Sequence, residues 1–279
     1  MVLEAFEMTE ERGVEGRRYA AVLEVVFVVS GTLALVGLVA NSSWAARQWT
    51  AVGWPFLEYL TLMAVPLAVL LATRRRWRTY GLTVRRFRRS AYGALVCMLP
   101  YGAAHAVLAV LTVGSVLAAA VRTVLAVVVL VLAARWLPRV GPAPLVLGVA
   151  VPAFLLSFDV AAGAVLAAGF HILFLGPGEE ILFRGYVQSR LNAAFGRPWA
   201  YRGVRFGWGL PLAAVLFGVF HLLNLPRLYA GEIDLAWGAG VATVAWGLFF
   251  GYLREWSGSV VTPALVHGVP QGIAEAVLG

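Results

Sequence analysis

The strongest chemical signal in the sequence is a group of charged residues directly after a long apolar run. Glu179, Glu180 and Arg184 lie in the stretch GPGEEILFRG. On a helix, Glu180 and Arg184 share a face because they are four residues apart, and they can form an ion pair. Glu179 is rotated from Glu180 by about 100°, so this arginine need not neutralise it. The spacing predicts one structural carboxylate and one carboxylate that can bind water.

Two histidines lie in later apolar runs. His221 is found in LFGVFHLLN, and His267 in PALVHGVPQG, where Gln271 follows four residues later on the same helix face. Polar groups are costly to bury in an apolar medium, so two histidines and an acidic pair favour one shared site. A buried carboxylate suits a general base. A histidine can hold the attacking water, and a second histidine with an amide can stabilise an oxyanion. These are the parts of a hydrolase.

Composition indicates the surroundings of this site. The 279 residues are 61% hydrophobic and 13% charged, whereas soluble domains are about 45–50% apolar and about 25% charged. Lipid must therefore cover part of the surface, and we predict an all-α, polytopic membrane helical bundle of about eight transmembrane helices. The apolar runs are 19–40, 50–73, 91–118, 121–137, 143–158, 160–176, 209–224, 235–253 and 259–277. The run at 160–176 is expected to continue into the helix that carries Glu179.

The net charge of +8 is concentrated in short segments between apolar runs. Eight arginines lie between Arg74 and Arg89, which is typical of a cytoplasmic loop facing anionic headgroups. We therefore expect a multi-pass protein of the cytoplasmic membrane with a cytoplasmic N-terminus. The lipid bilayer is the expected partner, and a nucleic-acid partner is not expected. The chain is predicted to be one membrane domain, with scaffold spans in 1–158 and a motif-bearing half in 159–279.

Across about residues 160–275 the sequence resembles the CAAX prenyl-endopeptidase and bacteriocin-processing family of intramembrane glutamate proteases. The resemblance lies in three motifs that occur in order on apolar segments, since a single EExxxR pattern is weak. The family's third motif ends in asparagine, whereas this chain has glutamine, which is one methylene longer. The motifs are EExxxR at Glu179, Glu180 and Arg184, FxxxH from Phe217 to His221, and the final pair His267 and Gln271.

The resemblance implies a role for each motif residue. Glu179 would activate the water and His221 would help to hold it, while Glu180 and Arg184 would shape the site. His267 with Gln271 would form the oxyanion site. No cofactor or obligatory metal is implied, although two histidines and a glutamate also make a legitimate zinc set. The implied substrate is a membrane-associated peptide or protein, including C-terminal CaaX sequences with a prenylated cysteine.

Three other interpretations remain open at this stage. The charged stretch from Glu179 to Arg184 also fits a turn at the cytoplasmic surface. A non-catalytic immunity or partner-binding protein on the same scaffold is compatible with the substitution at Gln271. A proton-coupled transporter would use Glu179 and the histidines as a relay, and would depend on a proton gradient that a peptidase does not need.

Overall fold

The structure is a computed structural model that describes residues 2–84, 87–110 and 162–278. Within these ranges the chain is mostly helical, in agreement with the predicted class. The predicted spans at 121–137 and 143–158 lie outside the described residues.

The first half supplies four described helices and a short 3₁₀ turn. The predicted run at 50–73 is divided, because Gly53 adopts a left-handed conformation with φ of 71° and ends one helix. Pro55 precedes the next helix, which has 17 residues. The elements are α1 (Val2–Ala40), α2 (Ser43–Val52), α3 (Phe56–Ala72), the 3₁₀ turn (Trp77–Tyr80) and α4 (Phe87–Val110).

A single long helix, α5, carries the EExxxR motif, as expected from the run at 160–176. Pro177 lies within it and lacks a backbone N–H. The helix continues through Gly176, Pro177 and Gly178, and turns of π-helix flank this stretch. Such turns are frequent at functional sites. The consecutive segments are Ala162–Phe170 (α), His171–Leu175 (π), Gly176–Glu180 (α), Ile181–Val187 (π) and Gln188–Phe195 (α).

A small antiparallel hairpin follows α5 and was not predicted. Strand β1 (Trp199–Tyr201) pairs with β2 (Val204–Phe206). The turn residues Arg202 and Gly203 have φ of 51° and 77°, as in the two-residue turns that suit tight hairpins. The all-α prediction therefore omitted one small element.

Three of the last four helices follow the predicted runs at 209–224, 235–253 and 259–277 closely, and the fourth, a short helix, was not predicted. The helices Gly209–Leu222 and Trp237–Ser257 pack tightly through small residues: a Cβ at Gly247 would lie 2.8 Å from the Cα of Ala214. Small residues allow such close approach between membrane helices. The elements are α6 (Gly209–Leu222), α7 (Leu225–Tyr229), α8 (Trp237–Ser257) and α9 (Val261–Leu278).

Two described helices are long and apolar enough to cross a bilayer, Val14–Ala40 and Gly163–Phe195. The apolar helices Phe56–Ala72 and Gly209–Leu222 are shorter. The number of eight transmembrane helices is not confirmed by these residues.

Candidate active site

Glu179 and both motif histidines meet at one point between α5, α6 and α9. Glu179 Oε2 lies 3.9 Å from His221 Nε2 and 3.8 Å from His267 Nε2. These separations exceed a direct hydrogen bond but fit contact through a shared water. Glu179 is buried, and no described donor is hydrogen-bonded to its Oε2. The predicted convergence of the three distant segments is therefore present in the structure.

Glu180 takes a different position and forms a fully buried network. Arg184 Nη1 donates to Glu180 Oε1 at 2.9 Å, and His267 Nδ1 lies 3.0 Å from the same oxygen. The predicted ion pair is thus confirmed, and both side chains are fully buried. The guanidinium carbon of Arg184 is 4.1 Å from the centre of the Phe217 ring, a cation–π contact. The second carboxylate therefore holds His267 and Arg184 in place.

The hydrogen bonds fix how the two imidazoles present themselves to Glu179. His221 Nδ1 lies 2.9 Å from the carbonyl oxygen of Phe217, and a carbonyl can only accept, so Nδ1 carries the proton. A carboxylate likewise accepts, so Nδ1 of His267 carries the proton in its hydrogen bond to Glu180. In both neutral rings the lone pair of Nε2 therefore faces Glu179. A second proton on His267 would make its Nε2 a donor, and the Glu180 carboxylate would stabilise the resulting positive charge.

Glycines bring α5 and α9 close enough for these contacts. A Cβ at Gly176 would lie 2.5 Å from the carbonyl oxygen of Ala264. A Cβ at Gly268, next to His267, would collide with the carbonyl oxygen of His171. Backbone contact at this distance requires residues without a side chain. The glycines of GPGEE and VHG thus set the position of His267 relative to the carboxylates.

A cavity of about 710 Å³ borders this cluster, and Glu179 and His221 are part of its wall. Most of the remaining wall is apolar or aromatic, which suits an apolar peptide or lipid-modified group. The wall also includes Val36, Trp49, Trp54, Leu62, Phe170 and Leu225.

Further polar side chains line the same cavity, among them His171, Tyr229 and Tyr59. His171 Nδ1 is bonded to the carbonyl oxygen of Ala167 in the same helix at 2.8 Å, and the histidine is part of the cavity wall. Tyr229 donates to the Leu33 carbonyl at 2.8 Å, and burial raises the pKa of Tyr229 to about 12. Tyr59 donates to Glu179 Oε1 at 3.2 Å.

Gln271 is the motif residue that the described contacts do not join to the cluster. It is half-buried on α9, and no hydrogen bond from a described residue connects its amide to Glu179, His221 or His267. Its neighbour Gly272 packs against Ala168 and His171, which precede the carboxylates along α5. Within the described residues no group of three or more His, Cys, Asp or Glu could hold a metal ion.

A second charged network lies further along α5. Glu24 of α1 accepts hydrogen bonds from Arg75, from Tyr186, and from Arg190 Nε at 2.9 Å. Arg254 lies in the last turn of α8, where it is buried and donates to the Thr79 carbonyl at 2.9 Å. These contacts hold the loop after α3 against the C-terminal ends of α5 and α8.

Residues 161–272 match the family model described as Type II CAAX prenyl endopeptidase Rce1-like. This segment is therefore similar to the family that the three motifs indicate. The match includes Glu179, His221 and His267 and agrees with the resemblance carried by the three motifs. The Rce1-like match and the apolar helices together indicate a membrane protein. No curated protein and no solved structure matched the chain significantly.

Proposed function

We propose that this protein is a multi-pass intramembrane endopeptidase of the cytoplasmic membrane, and that Glu179 and His221 activate the water that hydrolyses the peptide bond. The observation that supports this most directly is the approach of both imidazole Nε2 atoms to one oxygen of Glu179, beside a cavity. Glu179 and His221 can then accept hydrogen bonds from an attacking water, and His267 lies beside them.

In the proposed reaction, the water O–H bond breaks as its oxygen attacks the scissile carbonyl carbon. The proton passes to Glu179, and His221 orients the water through its Nε2 lone pair. Glu179 then delivers the proton to the leaving amine when the C–N bond breaks. No group is consumed, and Glu179 returns to its carboxylate form.

The oxyanion of the tetrahedral intermediate is assigned to His267 in its doubly protonated form, with Gln271 as a weaker second donor. Glu180 supports this role because it accepts the Nδ1–H of His267 and stabilises the positive charge on the ring. Arg184 balances the charge of Glu180 and keeps that carboxylate from acting as a second base.

The proposed substrate is a membrane-associated peptide, including C-terminal CaaX sequences with a prenylated cysteine. The apolar and aromatic wall of the cavity supports a substrate of this kind. Because the site is surrounded by buried residues, the scissile bond must lie in a flexible segment that can enter the cavity in extended form.

The experiment is cleavage of a farnesylated CaaX peptide and of an unmodified membrane-peptide library by the detergent-purified protein. Wild type is compared with Glu179→Gln, His221→Ala and the matched surface control Glu232→Gln, each with and without chelator. We expect cleavage by wild type and the control, insensitivity to chelator, and at least a thousandfold loss in both site variants. Cleavage by Glu179→Gln would exclude the glutamate mechanism, and loss of wild-type activity in chelator would indicate a metal enzyme.

The same assay separates the peptidase from its rivals. A proton-coupled transporter moves its substrate only where there is a proton gradient. A detergent micelle has none, so peptide cleavage in detergent favours the peptidase. A wild-type protein that cleaves neither substrate set but binds a membrane partner would support the non-catalytic interpretation.

A further inference from the structure

Tyr59 is a polar contact of Glu179 that comes from outside the Rce1-like segment. It lies in the first turn of α3, 120 residues before its partner, whereas the family match begins at residue 161. Its hydroxyl donates to Glu179 Oε1 at 3.2 Å, and its side chain lines the cavity. The first half of the chain therefore contributes directly to the candidate site.

The Tyr59 ring is held from two sides. Its centre lies 5.1 Å from that of Phe170 in an edge-to-face arrangement. The backbone of Gly178 also lies against the ring, since a Cβ there would be 3.1 Å from Tyr59 Cδ1. A phenol has few rotatable bonds, so a packed ring gives the hydroxyl a defined position.

Because of this hydrogen bond, the two carboxylate oxygens of Glu179 have different partners. Oε1 accepts from Tyr59, whereas Oε2 faces the Nε2 atoms of His221 and His267. Among the described residues, Tyr59 is the one hydrogen-bond donor to this carboxylate. Without it, rotation about the terminal torsion of Glu179 could turn either oxygen away from the histidines, because this torsion is broad and roughly two-fold.

We propose that Tyr59 is a positioning residue that orients the Glu179 carboxylate, so that Oε2 receives the proton of the attacking water. This inference rests on the proposed peptidase function. Tyr59 keeps its own proton throughout, because the proton moves from water to Glu179 Oε2 and then to the leaving amine. The phenol acts through Glu179 and not on the substrate. Its loss should therefore slow the chemical step and leave substrate binding unchanged.

The first test is the kinetics of Tyr59→Phe, which removes only the hydroxyl. A hydrogen bond to a charged group corresponds to a loss of about tenfold to a hundredfold, and we expect that loss in kcat with KM changed less than twofold. The matched control is Tyr252→Phe on α8, whose hydroxyl is 3.5 Å from the Tyr201 carbonyl and does not line the cavity. It is expected to keep wild-type kinetics. An unchanged kcat in Tyr59→Phe, or a change confined to KM, overturns the proposal.

The second test does not require turnover. Infrared difference spectra of protein with ¹³C-labelled glutamate, wild type minus Glu179→Gln, identify the carboxylate stretch of Glu179. Tyr59→Phe is expected to shift this band because the carboxylate loses a donor, and Tyr252→Phe is expected to leave it in place. A band that does not move overturns the proposal. If Tyr59→Phe does not fold, 3-fluorotyrosine at position 59, a stronger donor, must shift the band in the opposite direction.

The two tests distinguish failure of this inference from failure of the proposed function. Full activity in Tyr59→Phe with none in Glu179→Gln rejects the role of Tyr59 alone. Cleavage by Glu179→Gln, or no cleavage by wild type, rejects the proposed function and with it the role of Tyr59 in that reaction.

Discussion

At the scale of single residues, the two neighbouring carboxylates differ because of what surrounds them. Glu180 Oε1 is shared by Arg184 and His267, so its charge is balanced and its position is fixed. Glu179 has a neutral phenol on one oxygen and two imidazoles near the other. Glu180 is therefore held by fixed partners, whereas Glu179 Oε2 has no described hydrogen-bond donor and stays open to a water.

Replacing Glu180 with Gln is expected to destabilise the protein. The change removes the negative charge that balances buried Arg184, and breaking a buried pair in this way costs about 3–5 kcal/mol. Chemical denaturation in detergent micelles measures the free energy of unfolding.

The control for that measurement is Glu232→Gln. Glu232 pairs with Arg227 on the surface, where the two side chains are 59% and 58% exposed, and such pairs contribute little. Equal stability of the two variants would show that the buried pair does not stabilise the fold.

Replacing Gln271 with Ala is expected to lower kcat by about tenfold, whereas loss of a principal oxyanion donor costs about 10²–10³. The reason is that described hydrogen bonds join His267, but not Gln271, to the carboxylates. Peptide cleavage by Gln271→Ala and His267→Ala, side by side, measures the difference. Equal losses in the two variants would mean that the amide reaches the oxyanion after all.

The site residues that sequence alone could predict are the charged or polar residues that lie within apolar runs. Glu179, His221 and His267 stand out because charged or polar groups in apolar runs need a reason. Tyr59 does not, since a tyrosine in an apolar helix is ordinary at a membrane interface. Its partner lies 120 residues away, and no local spacing indicates that contact.

At the scale of elements, the site depends on the close approach of α5 and α9. Gly176 and Gly268 allow backbone contact at the level of the carboxylates, and the π turns around Gly176–Glu180 change which side chains face α9. Apolar periodicity predicts the helices but not these turns, because one extra residue per turn leaves little trace in composition. The hairpin after α5 had a local signal in its aromatic strands and Arg202–Gly203 turn.

Replacing Gly268 with Ala is expected to push α9 away from α5. The new methyl group would collide with the His171 carbonyl, and such overpacking costs about 1–3 kcal/mol. Because His267 precedes this residue, peptide cleavage should fall together with the melting temperature in detergent.

Gly169→Ala is the matched control on α5. No described atom lies within 4 Å of a Cβ at that position, and alanine favours the helix. A Gly268→Ala protein that is as stable and active as Gly169→Ala would show that the helices are not in contact there.

At the scale of the whole molecule, arginines gather at one end of the described bundle. Arg75 and Arg190 meet at Glu24, and Arg254 joins the loop after α3 to α5. The run of arginines from Arg74 to Arg89 predicts that this end is cytoplasmic, and the orientation stays a prediction.

The orientation can be measured by labelling single cysteines with a membrane-impermeant maleimide in a Cys97→Ala background. Arg76→Cys and Arg202→Cys, both exposed at the arginine-rich end, are expected to react only after the cells are permeabilised. Glu232→Cys lies beyond α6 and is expected to react in intact cells. Labelling of all three from outside would reverse the assignment.

The Glu24 network also bears on how the chain is made. Arg75 follows Glu24 by 51 residues and Arg190 follows it by 166, so the translating ribosome delivers the two cations at very different times. Pairing with Arg75 can neutralise Glu24 as soon as the first helical hairpin has been inserted. The later arrival of α5, with Tyr186 and Arg190, then ties the earliest part of the nascent chain to the helix that carries Glu179.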